Sequence, residues 1–243
     1  PSSADAVADL ALHGTTLVVS TRYRDVVVEV YDISTPSNPT KIATIDVKAK
    51  GGAYASANKM ALNSDGTLLA IAAGTRIQLW DMSTNNGTPI FKYEIAVAAT
   101  DTVAVIAFGQ DEGKKTLAVG MDNPVGTIKI YEVLDANPTA VQSESERATI
   151  TLSNDVAVET RVKYLALNTR ATSENKPWVL AAGWWDSHSI TLHDVSPTQG
   201  ATPLLLSTID IEDSLQPKAI ALSPDHNLLI HSTEISYTSV AVW

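Results

Sequence analysis

Val28-Glu29-Val30-Tyr31-Asp32 is the stretch that decides how this chain folds. Aliphatic residues alternate with others, a ring follows, and an acid closes the run. The same order returns as Ile77-Gln78-Leu79-Trp80-Asp81, Ile128-Lys129-Ile130-Tyr131-Glu132 and Ile190-Thr191-Leu192-His193-Asp194. A fifth copy, Val240-Ala241-Val242-Trp243, is cut short by the end of the sequence. The ring residues, at 31, 80, 131, 193 and 243, are 49, 51, 62 and 50 residues apart. Alternation of period 2 predicts strands, and self-similarity at a fixed period predicts one structural unit per copy.

Two more apolar strands precede each of these, joined by a polar turn. Leu10-Ala11-Leu12 runs to Leu17-Val18-Val19, and Met60-Ala61-Leu62 runs through Asn63-Ser64-Asp65-Gly66 to Leu68-Leu69-Ala70-Ile71. Ile106-Ala107-Phe108, Leu165-Ala166-Leu167 and Ile220-Ala221-Leu222 open the later copies, the last through Ser223-Pro224-Asp225. A fourth strand follows each acid after a connection rich in Pro, Ser and Asn, as in Lys41–Ile45, Ile90–Ile95 and Leu204–Ile209. In the third copy that strand falls in either Thr139–Ser145 or Ala148–Leu152. Helical periodicity is absent. Each copy therefore predicts a four-stranded antiparallel sheet, the blade of a β-propeller. The expected fold is all-β: about five blades around a central channel, near 8–47, 58–96, 103–152, 162–211 and 218–243 of a single domain 1–243. The last blade is incomplete, which suggests a piece of a longer protein, or a three-stranded last blade.

These residues resemble the WD-repeat family. Trp80-Asp81 stands where that family's namesake dipeptide ends the third strand, and Asn63-Ser64-Asp65-Gly66 and Ser223-Pro224-Asp225 resemble its first turn. The resemblance extends over all five copies, although the Gly-His pair that usually precedes the first strand is absent from each. Tyr31-Asp32-Ile33-Ser34-Thr35-Pro36-Ser37-Asn38-Pro39 also resembles bacterial propeller repeats of the LVIVD type.

Composition narrows function. In 243 residues there are 27 acidic and 17 basic side chains, a net charge of −10, and such a surface repels phosphate backbones, so no nucleic-acid partner is expected. The chain has no cysteine, which excludes thiolate catalysis and Cys-based zinc sites and leaves the compartment open. No apolar run is long enough to span a membrane as a helix, and Pro1-Ser2-Ser3-Ala4-Asp5 is not an uncleaved signal peptide.

No nucleophile, phosphate-loop or dinucleotide motif occurs. The five histidines, His13, His188, His193, His226 and His231, are scattered, and His193 stands in the ring column, so they read as structural or solvated. Asp32, Asp81, Glu132 and Asp194 share one offset and read as turn acceptors. Catalytic, cofactor and metal residues are accordingly expected to be absent. A Ca2+ ion held by loop carboxylates such as Asp46, Asp101, Asp155, Asp210, Glu212 and Asp213 in the channel is the one cofactor left open.

The connection between second and third strands is the most suggestive surface. In propellers it shares a face with the fourth-to-first connection. It supplies Arg22, Tyr23 and Arg24 in the first copy, Met121 in the third, Trp184, Trp185, Asp186 and His188 in the fourth, and Tyr237 in the fifth. Trp, Tyr, Met and Arg are enriched at binding hot spots. One of the two tryptophans is expected between blades and the other on the rim. The favoured function is a non-catalytic scaffold binding a protein, another ligand or further domains of a longer chain. A propeller hydrolase or lactonase with a channel metal, and a sugar-binding propeller, are the alternatives.

Overall fold

The computed structural model describes residues 6–22, 27–47, 57–83, 88–97, 102–111, 114–123, 126–133, 146–151, 161–169, 178–184, 188–196, 203–211, 217–223, 229–233 and 240–242. Among these every regular element is a strand, and no helix is long and apolar enough to cross a membrane. The described residues up to Ile106 belong to one compact unit, and those from Ala107 onward to a second.

The first unit holds two sheets whose strands pair in chain order: β1 (Ala6–His13), β2 (Thr16–Arg22), β3 (Val27–Asp32) and β4 (Thr40–Asp46), then β5 (Ala57–Leu62), β6 (Leu68–Ala73), β7 (Arg76–Asp81) and β8 (Ile90–Ala96). Ala6 and Val7 pair with Arg22 and Thr21 inside the first sheet. Burial follows strand position. All six residues of β6 are buried, because both faces of a central strand are covered, whereas β4 is mostly exposed.

Alternation explains how the sheets stack. On the second sheet Met60 pairs with Ile71, and Leu62 with Leu69, which pairs with Trp80, so these side chains share one face. That face packs against Ala11, Val18, Val28, Val30 and Ile45 of the first sheet. The repeated Leu-Ala-Leu pattern is thus two-faced: the alanine points one way, toward the following sheet, and its large neighbours point the other way.

β9 (Thr102–Asp111), which belongs to the second unit from Ala107 on, makes one sheet with β10 (Lys114–Asn123), β11 (Thr127–Val133) and β12 (Glu146–Thr151) of that unit. β13 (Val162–Asn168), β14 (Val179–Trp184), β15 (Ser189–Asp194) and β16 (Leu204–Asp210) make another. β17 (Pro217–Leu222), β18 (Leu229–Thr233) and β19 (Val240–Val242) form a three-stranded sheet. Ile220, Leu222 and Leu229 pack on Ala166, Ala181, Ile190 and Leu192, the same face-to-face rule as in the first unit. Gly183 permits the close approach: a Cβ there would stand 2.6 Å from Ile220 Cδ1.

The third copy's outer strand is Glu146–Thr151, the second of the two readings, because Ile150 pairs with Ile128. All four outer strands skip one residue opposite the ring position: Ile42 beside Tyr31, Lys92 beside Trp80, Arg147 beside Tyr131 and Leu206 beside His193. A bulge at that point bends and twists the outer strand.

Three of the four acids that share this offset, Asp32, Asp81 and Asp194, act as turn acceptors. The Ser34, Ser83 and Ser196 N–H groups donate to Asp32, Asp81 and Asp194 Oδ1 at 2.8, 2.9 and 2.9 Å. A short polar side chain two residues upstream of a free N–H favours this turn locally. In the Asn63–Gly66 turn, Asn63 Oδ1 accepts from Leu68 N–H and Asp65 Oδ1 from Thr67 N–H, while Gly66 takes the positive φ of 71° that a side chain would resist.

Candidate functional site

In the ring column of the third strands, Tyr31, Trp80 and His193 are each hydrogen-bonded to the residue two before it. Two residues apart on a strand means the same face. The Tyr31 hydroxyl donates to Glu29 Oε2 at 2.6 Å, and Lys41 Nζ to Glu29 Oε1 at 3.1 Å. The Tyr31 hydroxyl, with Lys41 behind it, holds the Glu29 carboxyl below the usual carboxylate range against the opposing effect of burial. The same bond, with burial, raises Tyr31 to about 12. Trp80 Nε1 donates to Gln78 Oε1 at 3.2 Å, and Gln78 Nε2 donates to the Val47 carbonyl at 3.0 Å. That amide ties the second sheet to the strand end of the first. Phe91 meets Trp80 edge-on at 5.3 Å.

In the fourth copy His193 Nε2 lies 2.9 Å from Thr191 Oγ1, and the Trp184 indole N–H donates to the same oxygen at 2.8 Å. Burial pushes His193 down to about 4, so its imidazole is neutral at pH 7. His193 is buried on the same sheet face as Trp184. His231 is likewise buried, its pKa lowered by that burial, and its Nδ1 has no hydrogen-bond partner among the described residues.

The expected binding residues separate into three groups. Met121 and Trp184 are fully buried. Both were placed in the connection after the second strand, and this is corrected: β10 continues to Asn123 and β14 to Trp184. Trp184 pairs with Val162 and Ser189, which turns its indole to the face that carries Leu165, Leu180 and His193. Met121 lies two and four residues after Val119 and Leu117, on their face of the sheet, so it is no rim anchor. His188 is half-buried, with a φ of 48°, and its carbonyl accepts from Ile211 N–H at 2.8 Å, so it shapes the turn into β15. Arg22 ends β2 opposite Ala6. Tyr23, Arg24, Trp185, Asp186 and Tyr237 lie outside the described residues. Of the carboxylates considered for a cation, Asp46 and Asp210 end β4 and β16, and the other four lie outside the described residues.

Sequence reasoning missed the polar links between neighbouring sheets. Asp9 Oδ2 accepts from Met60 N–H at 2.7 Å and sits 3.9 Å from Lys59 Nζ. Lys163 Nζ bonds Asp122 Oδ1 at 3.1 Å, and Asn168 Nδ2 donates to the Ser223 carbonyl at 2.6 Å. The signal for the first was an acid in an otherwise apolar first strand.

No protein-family model matches the sequence, and no curated protein matches it. Among solved structures, the chain is similar to the β-propeller domain of Cps50 (Swd1) from Myceliophteria thermophila. The TM-score is 0.66 at 14% identity, over 99% of this chain and 70% of that one. The fold is a β-propeller. The propeller is also similar to a chain of the mitotic checkpoint complex, with a TM-score of 0.65, 18% identity, and 98% of this chain and 61% of that one covered. A chain from the outer coat vertex of COPII on membranes gives 0.63 and 15%, with 98% and 62% covered. The propeller thus spans less than two thirds of the length of these last two chains.

Proposed function

We propose that this propeller is a non-catalytic scaffold that binds a protein partner through the connections between its second and third strands. The observation that carries the reading is where the reactive-looking side chains go. Asp32, Asp81 and Asp194 are turned onto their own strand-end N–H groups, and His193 is buried and shares the Thr191 hydroxyl with Trp184. Two of the solved chains of the same fold come from the mitotic checkpoint complex and from the COPII coat on membranes, which supports a protein partner here.

With Met121 and Trp184 assigned to the interior, the remaining candidate binding residues are Arg22, Tyr23, Arg24, Trp185, Asp186 and Tyr237, with His188 shaping one turn. Affinity capture with quantitative mass spectrometry tests it. Trp185→Ala and the double variant Tyr23→Ala, Arg24→Ala are compared with the wild type and with Ser37→Arg, which lies on an exposed connection at the other end of the strands. Loss of a hot-spot side chain costs about 2 kcal/mol or more, roughly thirtyfold in affinity. A common set of proteins should be depleted by that factor with the two loop variants, at unchanged melting temperature, and retained with Ser37→Arg. Equal recovery with all four proteins would overturn the assignment.

A further inference from the structure

Two buried threonine hydroxyls of the second unit have no hydrogen-bond partner among the described residues: Thr116 Oγ1, on β10, and Thr169 Oγ1, just past the end of β13. The two residues are 1% and 2% exposed. Gly109 brings them together. β9 ends at Asp111, and its sheet neighbour β10 begins at Lys114. Two connecting residues set the register of a tight hairpin, in which Gly109 stands opposite Thr116 and shares its face of the sheet. Opposite residues of an antiparallel pair have Cβ positions about 4.5–5.5 Å apart. On that same face, a Cβ at Gly109 would stand 2.9 Å from Thr169 Oγ1 and 2.8 Å from Leu167 Cγ. Thr116 and Thr169 therefore flank one point of the seam between these two sheets, yet neither hydroxyl bonds the other.

We infer that one internal water molecule lies between Thr116 Oγ1 and Thr169 Oγ1 and joins the two sheets. A buried hydroxyl without a partner is costly, and here two of them meet in one seam. A water that bonds both relieves that cost, and it spans oxygens up to about 5.5 Å apart with two bonds of about 2.7–2.8 Å. A hydroxyl both donates and accepts, so either threonine can turn toward the water. The seam on the other side of β13 is fastened at the same level by a direct bond, Asn168 Nδ2 donating to the Ser223 carbonyl at 2.6 Å. Asn168 and Thr169 are adjacent, one reaching the sheet that follows and the other the sheet that precedes. The water completes on the Thr169 side what the longer amide does unaided on the Asn168 side. The site lies at the end of the strands that carries the first turn, away from the connections of the proposed binding face, and does not depend on that reading.

Thr116→Val and Thr169→Val, made singly and together, test it, because valine keeps the shape of the side chain and removes the hydroxyl. With a shared water, each single change takes away one bond and should lower the melting temperature by about 2–4 °C. The double variant should lose less than the sum, since the second hydroxyl removed has already lost its bridge. Hydroxyls that are simply unpaired in a dry seam give the opposite sign: removing either leaves the melting temperature unchanged or raises it. Nuclear Overhauser measurements on the wild type should show one long-lived water beside the γ-methyl groups of both threonines, and none there in the double variant. Single variants that melt at or above the wild type, additive losses, or a wild type with no long-lived water at both methyl groups would each overturn the proposal.

Discussion

Trp184→Ala should be among the most damaging single changes in the chain. The side chain is fully buried on the face shared with Leu165, Leu180 and His193, and its indole N–H satisfies Thr191 Oγ1 at 2.8 Å. Truncating a buried tryptophan removes its transfer free energy and leaves a cavity, about 3–5 kcal/mol together. For a chain of this size about 1 kcal/mol moves the melting temperature by roughly 2–4 °C, so the loss is roughly 6–20 °C. Trp184→Phe separates the two contributions. It fills most of the volume but removes the indole donor from Thr191 Oγ1, which keeps His193 Nε2 as its partner, at a cost of about 0.5–1.5 kcal/mol. Thermal unfolding followed by near-ultraviolet circular dichroism measures both. The expected order is wild type, then Phe, then Ala, with Trp185→Ala close to wild type. A Trp184→Ala protein melting within about 2 °C of wild type, less than 1 kcal/mol, would refute the buried placement and the packing derived from it.

Acid should loosen the fourth sheet. Burial depresses His193 to about 4, below its unfolded value of 6.5, so its contribution is fully present above pH 6.5 and is lost as pH falls toward 4, by up to about 1.4 kcal/mol per pH unit. Denaturant titrations from pH 7 to pH 4.5 should show this slope, and His193→Phe should flatten it; an unchanged slope in the variant would assign the acid loss elsewhere. Asp194→Ala should cost more than Asp32→Ala in the same denaturant assay. Asp194 and Ser196 are buried while the Asp32–Ser34 turn is exposed, so only the first leaves interior donors unmet, at about 1–3 kcal/mol against about 1. Gly183→Ala should overpack the seam against Ile220 and lower stability by about 1–3 kcal/mol, and the added Ile220→Val should recover part of it in a double-mutant cycle.

The strands were legible because alternation is local. Val28–Asp32, Ile77–Asp81 and Ile190–Asp194 all lie where the pattern puts them. So were the strand-end turns, since an acid two residues before a serine carries its own acceptor. What failed was the length of the second strand. Gly120 and Gly183 interrupt the apolar run just before Met121 and Trp184, which were placed in the connection that follows. At Gly183 the glycine serves packing instead, making room for Ile220, while pairing continues to Trp184. The outer strand of the third copy was ambiguous because both Thr139–Ser145 and Ala148–Leu152 are short and contain polar residues, and the pairing of Ile150 with Ile128 decides for the second. The Asp9–Met60 and Gln78–Val47 bonds join residues 51 and 31 positions apart, and no local pattern encodes them.

Amide hydrogen exchange along the chain tests the repeat architecture most directly. Second and third strands, buried on both faces, should be the slowest, with β6, β7, β14 and β15 protected close to the global unfolding limit. The outer strands β4 and β16, mostly exposed, should exchange sooner, and the order should repeat from sheet to sheet. Outer strands as protected as β6 and β14, or protection that ignores the repeat, would contradict a stack of two-faced sheets.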